Sequence, residues 1–310
     1  MLDLRLFFFG SPHIVCSGQP LRVDTRKATA LMAYLAVTGR PCRRETLIAL
    51  LWPESDNVHG HGVLRRTLSV LNKALDGKGL AISRESIGLS GEAWCDVSEF
   101  HRLLATRRSE NPHNNLARLN AATALYRDDF LNGFGLVDSL TFDDWQIEQA
   151  EQLRGELSRA LEWLAQGYAA QGKIEAALEA ARRWLALDRL NEAAHCQLMC
   201  LYAWAGQRSA ALRQYAECSD LLRKQINAEP QAETTALYTA IKENRLPAAP
   251  ASPRLNRKKT PAGAPALARH PTEARTVQLA VNRQPHGPRE ADEASQKLAL
   301  TPILHWWWHH

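Results

Sequence analysis

No apolar run in this sequence approaches the roughly 20 residues that a membrane-spanning helix needs. The N-terminal Leu6-Phe7-Phe8-Phe9 is too short for the apolar core of a signal peptide, and Asp3 and Arg5 precede it. These absences predict a cytoplasmic protein that neither enters a membrane nor is exported. Cysteine is sparse: Cys16, Cys42, Cys95, Cys196, Cys200 and Cys218 show no framework spacing. The chain is long enough to bury a core without staples, so reduced thiols are expected. Cys196 and Cys200 are four residues apart on a predicted helix, a spacing that seats two metal ligands. No second pair completes a metal site, and buried structural cysteines are the expectation. The phosphate-loop pattern G-x-x-x-x-G-K-[ST] is missing, because Gly77-Lys78 and Gly172-Lys173 lack the partner glycine and the Ser/Thr. Asp128-Asp129 and Asp143-Asp144 are paired carboxylates, but they read as caps, and nothing nearby supplies a nucleophile. No catalytic residue, cofactor or metal is expected.

What is present is a globular composition, 45% hydrophobic and 23% charged, over 310 residues, enough for one to three domains. The net charge of +5 allows nucleic acid as a partner without requiring it. The charge is uneven: Arg22 to Lys73 holds nine Lys/Arg against four Asp/Glu.

Within that basic segment, Val58 to Leu75 reads as an amphipathic helix. Leu64, Leu68, Leu71 and Leu75 fall four, three and four residues apart, on one stripe. At about 100° per residue, Gly62, Arg66, Ser69 and Lys73 lie opposite, flanked by Arg65 and Asn72. Such a helix fits an ordinary solvated surface as well as a DNA groove. The neighbouring elements favour the groove. Leu2 to Phe9, His13 to Cys16 and Leu21 to Val23 read as short strands joined by turns at Gly10-Ser11-Pro12 and Ser17-Gly18. A helical period then runs from Arg26 to Val37 and stops at Gly39 and Pro41. A second helix spans Arg44 to Trp52, with Pro53 as its stop, and Ser55-Asp56-Asn57 offer N-caps to the third. Leu80 to Ile82 and Ser86 to Leu89 form a hairpin around Arg84-Glu85. Sheet, three helices and hairpin is the order of a winged helix-turn-helix, whose third helix enters the major groove.

Arg66 is the first choice for base reading, because arginine pairs bidentately with guanine. Arg65 and Ser69 accompany it, Asn72 reads adenine or bonds phosphate, and Lys73 near the helix end suits a phosphate. Arg43 and Arg44 open the second helix, where backbone N–H groups and the dipole favour phosphate. Arg84 tips the wing. Arg26 and Lys27 suit either backbone contacts or solvent. His59 and His61 at the helix start bond phosphate or are plain exposed histidines. Gly60 and Gly62 weaken the first turn, which predicts a late start or ordering on DNA.

Trp94 to Ala105 and Leu116 to Tyr126 are helical patterns separated by the polar Ser109 to Asn115, and Asp128 to Gly133 is a break. From Phe142 to Arg245 the chain is nearly all helical. Tyr168/Tyr202, Gly172/Gly206, Ala177/Ala211 and Leu178/Leu212 repeat at an offset of 34 residues, the tetratricopeptide period. The repeat helices are placed at 153–170, 174–187, 192–205 and 209–225, with Trp163, Trp184 and Trp204 as core. Such a solenoid offers a concave face to a protein partner or a second copy. Nine of the fifteen prolines lie between Pro247 and Pro302, around Arg257-Lys258-Lys259, so residues 246–310 are expected to be a disordered tail. The terminal His305-Trp306-Trp307-Trp308-His309-His310 follows no packing logic and suggests a truncated or shifted reading frame.

The first hundred residues resemble the winged-helix effector domain of response-regulator-type transcription factors. The helical part resembles the bacterial transcriptional activator domain of SARP-type regulators. The resemblance rests on Leu50-Leu51-Trp52-Pro53, Leu64-Arg65-Arg66-Thr67-Leu68-Ser69, Leu125-Tyr126-Arg127-Asp128-Asp129-Phe130-Leu131, Asn191-Glu192-Ala193-Ala194-His195, Gly206, Ala211 through Tyr215, and Glu229-Pro230. It implies a DNA-binding activator that recognises repeated promoter sites as a dimer and assists RNA polymerase. Larger members continue into an ATPase domain, for which this chain has no phosphate loop. The expected architecture is mainly α with a small β component. A winged helix-turn-helix (1–95) precedes an all-α tetratricopeptide-like domain (96–245) and the tail (246–310). The expected partners are double-stranded promoter DNA, RNA polymerase and a second copy, with no membrane. The alternative is a helical-repeat adaptor whose winged helix does not bind DNA specifically.

Overall fold

The computed structural model describes residues 3–23, 25–90, 93–105 and 115–249. The expected tail from residue 250 onward and most of the polar stretch before Leu116 lie outside the described residues. The chain opens on β1 (Leu4–Phe7), β2 (His13–Cys16) and β3 (Gln19–Pro20). The third strand is not Leu21 to Val23. Ser17 and Gly18 both take positive φ, 49° and 77°, and make a two-residue turn that pairs Gln19 directly with Cys16. Helices α1 (Arg26–Thr38), α2 (Arg44–Leu51) and α3 (Asn57–Ala74) follow, then β5 (Leu80–Ile82) and β6 (Ser86–Leu89). Two strands of two residues each escaped the sequence reading, because a pair of residues has no period. They are β4 (Cys42–Arg43), which joins β6 and β5, and β7 (Trp94–Cys95), which returns to lie parallel to β1.

Helix α3 does not start late. The Asp56 carboxylate accepts from the His59 N–H at 2.7 Å and caps the helix from Asn57. Gly60 has a packing reason: a Cβ there would lie 2.5 Å from Cγ2 of the buried Ile48 on α2. It lets the two helices of the helix-turn-helix cross closely. Gly60→Ala should therefore destabilise the fold by about 1–3 kcal/mol despite alanine's better helix propensity, read as a lower midpoint in urea unfolding.

The second part comprises α4 (Asp96–Leu104), α5 (Leu116–Leu125), α6 (Leu140–Ala170), α7 (Ile174–Leu187), α8 (Glu192–Trp204), α9 (Arg208–Ile226) and α10 (Ala232–Lys242). Helix α6 begins well before residue 153, because Ser139 caps it through the Phe142 N–H and no proline interrupts it. The 34-residue repeat is visible in the backbone. Gly172 and Gly206 take φ of 72° and 74°. Lys173 N–H donates to Tyr168 O at 2.9 Å, and Gln207 N–H donates to Tyr202 O at 2.8 Å. Ala177 and Ala211 are fully buried where the helices close, and Trp184 is buried with its indole N–H on Ser158 Oγ at 2.8 Å. His195 is buried too, bonding Arg189 O through Nε2 and Gln214 through Nδ1. Cys42, Cys95, Cys200 and Cys218 are buried, Cys16 and Cys196 half-buried, and all six are free thiols.

One continuous apolar cluster runs from Leu4 through α1 to α3 and on to Phe142, Leu161 and Trp184, so the two parts share a core. Polar bonds reinforce the joint. Gly10 N–H donates to Asp129 O and Leu131 N–H to Phe8 O, at 3.0 and 2.8 Å. Ser139 and Thr141 hydroxyls donate to Leu50 O at 2.5 and 3.0 Å, supplying partners to carbonyls in the last turn of α2. Asp96, 1% exposed, accepts from the N–H groups of Phe8, Phe9 and Val97 at 2.9–3.1 Å and lies 3.5 Å from Arg127.

Candidate nucleic-acid interface

Helix α3 turns its leucines inward: Leu64, Leu68, Leu71 and Leu75 are at most 4% exposed. That burial holds the other side of the helix outward. Arg65, Arg66, Ser69 and Lys73 are exposed there, and Asn72 is half-buried on a flank. No acidic residue lies on the helix, and Lys73 sits in its last turn, where a cation complements the dipole. Val58 and Val70, which the sequence reading did not single out, stand exposed on the same side at 86% and 41%. The signal that finds them is their position on the wheel, away from the leucines.

The wing lies against the start of α2. Arg43 is exposed, and its backbone pairs with Ser86. Arg44 bonds the wing: Nε and Nη2 both donate to Ser83 O, at 3.2 and 2.9 Å. Its N–H donates to Glu85 O at 3.1 Å. One edge of the Arg44 guanidinium therefore straps the hairpin to α2. Ser83 Oγ closes the turn by accepting from Ser86 N–H at 2.9 Å, which leaves Arg84 exposed at the tip. The arrangement thus brings Arg65, Arg66, Ser69 and Lys73 onto one face and fixes Arg84 on a wing anchored by Arg44.

Arg26 and Lys27 both bond to the segment before α6. Arg26 Nε donates to Gly135 O at 2.9 Å with its guanidinium over Phe134, and Lys27 pairs with Asp138 at 2.7 Å and lies over Trp52. Both line an open cleft of about 790 Å³ between the start of α3 and the loop before α6, with His59 and Thr67 on the helix side. Asp129 accepts from Tyr126 Oη at 2.9 Å and from Arg154, and burial together with that carboxylate holds the Tyr126 phenol well above the ordinary tyrosine range. Asp143 accepts from Leu136 N–H at 3.2 Å. These carboxylates are structural.

A winged helix-turn-helix is thus joined through a shared core to a tetratricopeptide-like helical domain. Residues 95–242 match the family model of the bacterial transcriptional activator domain. A solved structure, Mycobacterium tuberculosis EmbR in complex with low affinity phosphopeptide, shares the fold. Its TM-score is 0.62 at 21% identity, covering 79% of this chain and 66% of that one. The chain therefore spans just under two thirds of that protein's length. No curated protein matches. Among the described residues, no helix is long and apolar enough to cross a membrane.

Proposed function

We propose that the chain is a sequence-specific, DNA-binding transcriptional activator of the cytoplasm. In this reading α3 enters the major groove of promoter DNA, with Arg66 on a guanine, Arg65, Ser69 and Asn72 on neighbouring bases or phosphates, and Lys73, Arg43 and Arg84 on the backbone. Arg44 holds the wing and turns its remaining N–H groups to phosphate. Repeated sites bind two copies, and residues 96–245 contact the second copy and RNA polymerase. The observation that carries the reading is the exposed cationic face of α3, free of acidic residues and backed by four buried leucines.

The test is selection from a randomised duplex library with the purified chain at two salt concentrations. A repeated motif should emerge, and its affinity should fall steeply as salt rises, because phosphate contacts release counterions. Retention of every duplex alike, or of none, would leave the helical-repeat adaptor as the better account.

A further inference from the structure

Two glycines sit in the first half of α3, and only one has a structural reason. Gly60 is required by Ile48. Gly62 is not required by anything inside the protein, since a Cβ there would meet no atom within 4 Å and its φ is not in the left-handed region. A glycine inside a helix is less favourable than alanine, because it loses more backbone freedom on folding. Gly62 lies on the outward face. One turn before it is Val58, one turn after it Arg66, and Arg65 and Ser69 stand three and seven residues on, all exposed. The glycine therefore leaves bare backbone in the middle of a ring of outward side chains.

Resting on the DNA-binding reading, we infer that Gly62 is where α3 comes closest to the bases: a base-pair edge in the major groove packs against the bare helix backbone there. Glycine serves wherever backbone must approach another molecule closely. Removing the Cβ lowers the helix surface at one point while Arg65, Arg66 and Ser69 reach past it on either side. The helix can then sink deep enough for these side chains to meet base edges. Any side chain at residue 62 would hold the helix away from the groove floor and loosen those contacts together. Gly62 is a positioning residue, and its role is sequence reading rather than general attraction to phosphate.

The experiment compares wild-type, Gly62→Ala and Gly62→Leu full-length chains for thermal stability. Each is also titrated with the duplex that wild type selects from the randomised library and with an unselected duplex. Gly62→Ala should melt about 2 °C higher, because it gains helix propensity. It should bind the selected duplex about tenfold more weakly, with the unselected duplex nearly unchanged. Gly62→Leu should lose more. A stabilised Gly62→Ala with unchanged affinity for the selected duplex overturns the inference. So does an equal loss on both duplexes, which would place phosphate there, and so does a lower melting temperature, which would make the glycine structural. If wild type selects nothing, the DNA-binding reading fails first and takes the inference with it.

Discussion

Arg66→Ala is expected to weaken binding to the selected duplex by about 1–3 kcal/mol, roughly 5- to 150-fold, and to relax selection at one base position. Arg66 stands exposed on α3 between Gly62 and Val70, one turn from each, and the buried leucines behind it hold the helix face outward. A single arginine on that face can place two N–H groups on guanine O6 and N7, a pair that alanine cannot make. The fold should persist, because no hydrogen bond among the described residues uses its guanidinium. Lys73→Ala should differ in kind. It should weaken all duplexes by a similar factor and flatten the salt dependence, as expected for a phosphate contact. Repeating the library selection with each variant separates the two roles. If Arg66→Ala selects the wild-type motif with undiminished affinity, Arg66 does not read the DNA. The adaptor reading predicts no effect of this change on the partner complex.

Asp96→Ala should have the largest effect on stability, a loss of about 3 kcal/mol or more. The Asp96 carboxylate, 1% exposed, is the acceptor for three backbone N–H groups, two just past the end of β1 and one in the first turn of α4. Alanine would leave those donors buried without partners, at about 1–3 kcal/mol for each. Relief of the buried charge offsets part of that cost, since burial raises the Asp96 pKa above the ordinary carboxylate value against the pull of Phe8, Phe9, Val97 and Arg127. The same shift sets a pH dependence. With the folded pKa above the unfolded one, the folded state binds the extra proton, so this residue's contribution to stability falls as pH rises from the unfolded value through the folded one. In urea unfolding across that window, the stability difference between wild type and Asp96→Ala should shrink as pH rises. Equal midpoints for the two proteins would mean that the N–H groups find other acceptors.

Asp96 also shows where sequence reasoning stops. Nothing local marks it: it sits in Trp94-Cys95-Asp96-Val97, and its partners Phe8 and Phe9 are 88 and 87 residues away. The same holds for Ser139 and Thr141 on the last turn of α2, and for Arg26 and Lys27, whose charge suggested DNA while their bonds go to Gly135 and Asp138. A strap such as Arg44 to Ser83 likewise needs two segments brought side by side.

Periodic features were legible because they depend on spacing alone. The leucine stripe of α3 determines which way Arg65, Arg66, Ser69 and Lys73 point, since 3.6 residues per turn turns sequence separation into direction. The 34-residue repeat determines the paired turns at Gly172 and Gly206, and the hairpin ranges Leu80–Ile82 and Ser86–Leu89 coincide with the observed strands. Strands of two residues and the joint between the two parts carry no period. They exist because backbone N–H and C=O groups removed from water must find partners. Those partners are chosen by whichever segments the buried core brings together. That is also why the two glycines of α3, alike in sequence, part ways in the fold: one faces Ile48 and the other faces open space.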